Sequence, residues 1–199
     1  ILYMRIGIIC AIPDEIKYFN LSKNPIKKIG KRKFFEGTHE KHELILVQSG
    51  IGKVNAAVVS TLLIDKFDCE FLFFSGVAGG IDPEIKIGEV IIGNSLIQYD
   101  YGKLQNGKMI TFRSGSIPAG ESKNEIEYRI DPKIKGKIKA SLPNLRMGKI
   151  LTGDVFIQCE KFKRQLFEKY RAQAIDMEGA AVAQVSEQFE IPSVVVRCI

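Results

Sequence analysis

The chain has 199 residues, enough for one domain that buries roughly 70% of the surface of its unfolded state, so a true hydrophobic core is expected. Hydrophobic residues make up 45% and charged residues 26%, which argues against intrinsic disorder and against a fibrous repeat. The formal net charge of +6 invites a nucleic-acid partner, but the lysines gather in Lys23–Lys33, Lys103–Lys108 and Lys133–Lys139 with few aromatics between them, a pattern that serves solubility and not nucleic-acid binding.

In chain order, Arg5–Ile12 is a continuous β-branched run of the kind that fills a central strand, and Pro13 then sits where a first helical turn tolerates it, predicting a helix near Asp14–Asn20. Lys33–His39 and Glu43–Ser49 flank a short polar turn and read as a β-hairpin. Gly50-Ile51-Gly52 breaks the chain before Lys53–Phe67, where Val54, Val58 and Leu62 recur at helical spacing. Phe71–Phe74 is a short buried strand that ends in the turn Ser75-Gly76-Val77-Ala78-Gly79-Gly80. Glu89–Ile97 is a strong strand. Asp100–Asn124 is polar and weakly patterned and reads as a long loop, a length that is often functional. Lys133–Ala140 and Lys161–Tyr170 read as helices, Lys149–Thr152 and Val155–Ile157 as short strands. Ala172–Asp176, Glu178–Phe189 and Ser193–Ile199 form a final strand, helix, strand unit. Strands interleaved with helices predict an α/β fold whose sheet is covered on both faces, with the hairpin making it mixed.

Cys10, Cys69, Cys159 and Cys198 show no CxxC spacing, and three lie in or beside apolar runs, as free thiols do in a reducing compartment. Ile6–Ile12 is short, lacks a cleavage site and leads at once into Asp14 and Glu15, so no signal peptide is expected. No stretch approaches the roughly 18 apolar residues of a membrane span. The expectation is a cytoplasmic protein with no membrane partner. Met4 has the place of an initiator, so the single domain is taken as 4–199, with Ile1-Leu2-Tyr3 either native or appended.

In open α/β sheets ligands bind at the carboxyl ends of strands, so the turns there carry the candidate residues. The glycine-rich turn at 75–80 matches neither GxGxxG nor a P-loop, and Gly52-Lys53 is followed by Val54, so no nucleotide phosphate site is implied. These glycines let the backbone approach a ligand. Glu178 falls at a helix N-terminus, where the dipole and unpaired N–H groups would hold it ionised and suit it to accept two hydrogen bonds from a vicinal diol such as ribose. Equally, Asp176 and Glu178 could cap that helix and Glu15 could be a solvated first-turn acid.

Six segments carry a resemblance. Met4–Ile12 with Glu15, Ser49-Gly50-Ile51-Gly52-Lys53-Val54-Asn55-Ala56-Ala57, Ser75-Gly76-Val77-Ala78-Gly79-Gly80, Gly153-Asp154-Val155-Phe156-Ile157, Asp176-Met177-Glu178-Gly179-Ala180 and Val194-Val195-Val196-Arg197 occur in order and register over nearly the whole chain. In this the sequence resembles bacterial 5′-methylthioadenosine/S-adenosylhomocysteine nucleosidases. The resemblance implies a nucleoside phosphorylase/hydrolase-like fold, a three-layer α/β/α sandwich with a mixed central sheet. It also implies hydrolysis of an adenine–ribose N-glycosidic bond in methionine salvage, no metal or organic cofactor, small adenine nucleosides as ligands, and a homodimer.

Residue by residue, the resemblance makes Glu15 the base that activates water and Arg197 a group that holds it. Glu178 binds the ribose hydroxyls, Met177 packs on the ribose, Phe156 lies against adenine and the backbone of Ile157 reads the base edge. Ile51 receives the apolar 5′-alkylthio group, and Ala78 and Gly79 line ribose and base through their backbones. Val77 stands where the family often has a hydroxyl residue.

The chemistry agrees, because glycosidic cleavage builds positive charge on the sugar and negative charge on the purine, calling for a carboxylate near the sugar and a general acid at the imidazole nitrogen. Related phosphorylases carry Gly-Asp-Pro-x-Arg after the first strand, whereas Ala11-Ile12-Pro13-Asp14-Glu15 puts acids where phosphate would bind. The family's general acid is an aspartate in Ser-Asp directly after the strand corresponding to Ser193–Ile199, so it is expected just after Ile199. The expectation is therefore a chain lacking a C-terminal segment, with an inactive nucleoside-binding homologue as the alternative. A phosphorylase or another adenine nucleosidase of the same fold is the second reading. His39-Glu40-Lys41-His42-Glu43 lies on a hairpin turn and not a helix, so no metal site is assigned to it. The loop at 100–124 is either an ordinary surface loop or, as in the family, a segment that reaches a partner's active site.

Overall fold

In the computed structural model, which describes residues 3–15, 22, 24–121 and 125–199, the first apolar run forms the strand Arg5–Cys10 (β1). A 3-10 turn over Pro13–Glu15 follows, and the remainder of the helix expected near Asp14–Asn20 lies outside the described residues. Lys27–Ile29 (β2), Arg32–His39 (β3) and His42–Gln48 (β4) form an antiparallel meander that contains the expected hairpin. Next come the helix Lys53–Phe67 (α1), the strand Phe71–Val77 (β5) and the two-residue strand Gly79–Gly80 (β6). Val90–Gln98 (β7), the hairpin Gly102–Gln105 (β8) and Lys108–Thr111 (β9), and the short Tyr128–Arg129 (β10) lead to the helix Pro132–Ser141 (α2). The chain closes with Arg146–Thr152 (β11), Glu160–Tyr170 (α3), Ala174–Asp176 (β12), Gly179–Gln188 (α4) and Ser193–Cys198 (β13).

Three sequence expectations are corrected. Ser75-Gly76-Val77, read as turn, continues β5, because these residues pair with Val196, Arg197 and Cys198 of β13. Val155–Ile157, read as a strand, is irregular and has no sheet partner: Val155 and Phe156 are exposed, and the chain leaves the sheet once β11 ends at Thr152. The supposed loop 100–124 contains the β8–β9 hairpin, whose turn residues Asn106 and Gly107 have φ of 51° and 71°, the left-handed pair that a two-residue hairpin turn requires.

The main sheet has the order β2-β3-β4-β1-β5-β13-β7-β11-β12-β6, with β10 attached to β7. Two parallel sets run in opposite directions. One comprises β4, β1, β5 and β13, the other β7, β11 and β12, and the two meet at the antiparallel β13–β7 pair. The chain leaving β5 then crosses as β6 to pair with β12, Gly80 opposite Ala174 and Gly79 opposite Ile175, so the far edge of the sheet curls back to the strand that feeds it. The simple rule of an open sheet with all carboxyl ends on one side therefore does not apply. The curl itself brings the end of β12 across to the ends of β5 and β13.

Side-chain alternation divides the core into layers. On one face Leu72, Phe74, Ile150 and Val195 pack with Ala56, Val59 and Leu63 of α1 and Ala180–Ala183 of α4. On the other, Ile92 and Val194 meet Ile134 and Ile138 of α2, and Ile97, Leu151 and Ile175 meet Leu166 and Tyr170 of α3. The result is the expected three-layer α/β/α sandwich around a mixed sheet. The small residues of α4 let it approach closely: a Cβ on Gly179 would stand 2.5 Å from the Asp176 carboxylate and 3.0 Å from Leu96. Among the described residues no helix is long and apolar enough to cross a membrane.

Candidate active site

At the end of β1, Glu15 folds back over its own turn. Its Oε2 accepts the N–H of Ala11 at 2.6 Å and of Ile12 at 3.1 Å, while Oε1 accepts the N–H of Val77 at 3.0 Å. The carboxylate thus ties the end of β1 to the end of β5. Gly76 makes room for it, since a Cβ there would stand 2.8 Å from Glu15 Oε1 and 3.0 Å from Arg197 Nη1. Gly76→Ala is expected to keep the fold, measured by thermal melting, while displacing Glu15 or Arg197, and a fall in kcat of up to about 100-fold, the scale a displacement of about 1 Å can have, is the outcome to measure.

Arg197 is almost wholly buried at the end of β13. Its Nε donates to Asp176 Oδ2 at 2.9 Å, its guanidinium lies 3.9 Å from the centroid of the Phe74 ring, and Nη1 donates to the Val196 carbonyl. Nη2 has no hydrogen-bond partner among the described residues. An unpaired buried donor on a charged group is costly unless a ligand or water takes it, which makes this nitrogen the natural holder of a polar guest.

The pair Asp176 and Glu178 divides its labour. Asp176 caps α4: Oδ1 accepts the Thr152 hydroxyl at 2.6 Å and the Gly179 N–H at 3.1 Å, and the Thr152 hydroxyl oxygen in turn accepts the Ala180 N–H at 2.9 Å. Glu178 makes no cap bond to its own helix. Its Oε1 instead accepts the N–H of Gly52, the residue before α1, at 2.9 Å. The backbone N–H that Glu178 accepts comes from the start of α1 and not from its own helix. Burial pushes its pKa above the ordinary carboxylate value, Asp176 adds to the rise, and the Gly52 N–H and Arg197 oppose it.

A cavity of about 640 Å³ brings the expected residues together. Glu15, Glu178 and Arg197 line it, as do Ile51, Met177, Ala78 and Gly79. Phe156 and Ile157 complete the expected set, and the exposed side chain of Val77 also faces it. Ile51 and Phe156 are 55% and 75% exposed, so the cavity carries an apolar mouth. Cys10 lies beside Glu15, and burial pushes its thiol up to about 12, which favours the protonated form. Among the described residues no group of three or more His, Cys, Asp or Glu is placed to hold a metal ion.

Sequence reasoning missed several neighbours. Thr152 and Phe74 are ordinary strand residues whose roles exist only through the curl of the sheet. Gln158 and Lys163 line the cavity beyond Ile157, and Lys53, Asp100 and Asp154 form a charged cluster at the start of α1. An aspartate directly after Gly153 at a strand end was the visible signal for this last group.

This combination of a curled mixed sheet and a carboxylate-lined nucleoside-sized cavity is that of the phosphorylase superfamily, whose family model matches residues 5–199. The 5′-methylthioadenosine/S-adenosylhomocysteine nucleosidase of Mycobacterium tuberculosis is 34% identical over 98% of this chain and 85% of its own length. The aminodeoxyfutalosine nucleosidase of Campylobacter jejuni is 32% identical with the same coverage. The crystal structure of the Helicobacter pylori 5′-methylthioadenosine/S-adenosylhomocysteine nucleosidase with butyl-thio-DADMe-Immucillin-A superposes with a TM-score of 0.84 at 30% identity, covering 100% of this chain and 85% of that one. Within the superfamily, the chain belongs to the 5′-methylthioadenosine/S-adenosylhomocysteine nucleosidase family.

Proposed function

We propose that the protein hydrolyses the adenine–ribose bond of 5′-methylthioadenosine and S-adenosylhomocysteine, releasing adenine and the corresponding thioribose, in methionine salvage. The observation that carries this reading is the meeting of two carboxylates, Glu15 and Glu178, with Arg197 in the lining of one cavity. Glu178 accepts the ribose hydroxyls. Glu15 takes the proton of a water that Arg197 Nη2 helps to hold, as the sugar gains positive charge. The apolar mouth at Ile51 receives the alkylthio group, Met177 packs on the ribose, Phe156 stacks on adenine, the Ile157 backbone reads the base edge, and the backbones of Ala78 and Gly79 line both. The departing adenine takes up a proton at its imidazole nitrogen. Asp176 is committed to Arg197, Thr152 and α4, and Asp154 to Lys53.

The test is adenine release from 5′-methylthioadenosine by the protein in phosphate-free buffer. Release without phosphate is expected, and a strict phosphate requirement would replace the hydrolase by a phosphorylase. The likeness to the Campylobacter jejuni nucleosidase and the open mouth at Ile51 favour one second reading, an adenine nucleoside with a larger 5′ substituent, so aminodeoxyfutalosine belongs in the same assay.

We also infer a cytoplasmic homodimer that binds neither nucleic acid nor membrane. Four free cysteines fit a reducing compartment. The outer face of α1 carries Val54 and Val58, 75% and 48% exposed and one turn apart beside Ile51, an apolar stripe that a second copy would cover.

A further inference from the structure

Helix α1 begins at Gly52, which has no side chain to cap it, and its first N–H is capped from a hundred residues further along the chain: Lys53 N–H donates to Asp154 Oδ1 at 2.9 Å. The same aspartate is held in turn, its own N–H donating to Asp100 Oδ2 at 2.9 Å. Lys53 Nζ completes the ring, 2.7 Å from Asp100 Oδ1 and 3.8 Å from Asp154 Oδ2. Three elements converge here, the end of β7 through Asp100, the irregular stretch after β11 through Asp154, and the start of α1. Gly52 has φ of 100°, and a Cβ on it would stand 3.3 Å from Asp154 Oδ1, so backbone and clamp are fitted to one another. The residue so fixed is the one whose N–H donates to Glu178.

We propose that Asp154, with Asp100 and Lys53, is the positioning unit for ribose recognition: by fixing the chain at Gly50–Lys53 it holds the Gly52 N–H on Glu178 and so prepares the carboxylate that receives the nucleoside's vicinal hydroxyls. This rests on the reading of Glu178 as the ribose acceptor. The charged groups sharing the cavity with Glu178 are Asp176 of β12, Arg197 of β13, Glu15 after β1 and Lys163 of α3. The Gly52 N–H favours the ionised carboxylate against burial. Loosening it raises the pH below which Glu178 is protonated and no longer accepts both hydroxyls.

The experiment measures kcat and KM for 5′-methylthioadenosine across pH, and Ki for its 2′,3′-dideoxy counterpart as a competitive inhibitor. Asp154→Ala is expected to raise KM about tenfold, the scale of a lost hydrogen bond to a charged group, with kcat changed much less and Ki for the dideoxy compound unchanged. The acid limb of its KM profile moves to higher pH. Glu178→Gln abolishes that limb, and Asp154→Ala added to Glu178→Gln raises KM no further. Asp100→Asn leaves the Asp154 side chain in place and is expected to give the same pattern at smaller size, which keeps the test decisive should Asp154→Ala not fold. Equal rises in KM and Ki, or an effect of Asp154→Ala that adds fully to that of Glu178→Gln, would show a merely structural cap and overturn the proposal. A Glu178→Gln enzyme that still prefers the hydroxylated nucleoside would instead overturn the ribose reading itself.

Discussion

Glu15→Gln is expected to lower kcat by about 10³-fold or more while KM for 5′-methylthioadenosine stays within about twofold, since a positioned general base contributes on that scale. The carboxylate spends its fixed lone pairs on the N–H groups of Ala11, Ile12 and Val77, and these bonds aim it without neutralising it. Glutamine has nearly the same shape, but one of its two positions is an NH2 that would face either the Val77 N–H or the Ala11 and Ile12 N–H pair. It cannot accept a proton from water. The substrate contacts assigned to Glu178, Phe156 and Met177 lie on other elements and should be untouched, so binding and turnover separate. Steady-state rates with a melting curve check this, and a variant that turns over near the normal rate would remove Glu15 from the mechanism.

Arg197→Leu is the substitution with the largest expected effect on stability. Arg197 and Asp176 each leave 1% of their side chain exposed, so removal of the guanidinium strands a carboxylate inside the protein and empties the face of the Phe74 ring. Breaking one side of a buried ion pair costs about 3–5 kcal/mol. For a domain of this size that corresponds to a fall in Tm of roughly 10 °C. Turnover should vanish as well, since Arg197 lines the cavity and holds Asp176. Combining the change with Asp176→Asn should restore part of the Tm, because the stranded charge is gone, while activity stays lost. An unchanged Tm in the single variant would mean that water reaches Asp176 and that the pair is not sealed.

Much of the fold was legible because its signals are local. The β-branched run of β1 and the unit from β12 through α4 to β13 each declare their type within a dozen residues, and the spacing of Val54, Val58 and Leu62 declares α1 a helix although the face it buries is that of Ala56, Val59, Ser60, Leu63 and Phe67. The hairpin β8–β9 was also declared, by Asn106-Gly107, but the polar composition around it hid the turn dipeptide. β2 and β10 have three and two residues and exist only because a neighbouring strand pairs with them. The extension of β5 through Ser75-Gly76-Val77 is of the same kind, since glycine and serine have little strand preference and β13 supplies the partner.

In the site, Glu15, Glu178 and Arg197 were marked by motif, and the cavity brings them together. What no local pattern carried was the division of tasks. That Asp176 caps α4 while Glu178 turns away to Gly52 depends on Thr152, and on a contact 126 residues apart in sequence. Lys53, Asp100 and Asp154 are charged residues in separate segments, and nothing in their spacing announces that they meet.

The crossing of β6 onto β12 also bears on how the protein is made. It joins residues 79–80 to 174–175, so nearly a hundred residues must be closed into a loop before that pairing forms. Contacts of such separation are slow to form, and here they assemble the cavity walls. Every local hairpin and helix can be in place before this closure while the ends of β5 and β12 are still apart. The residues lining the cavity run from Ala11 to Arg197, so no short contiguous fragment of the chain carries the site on its own.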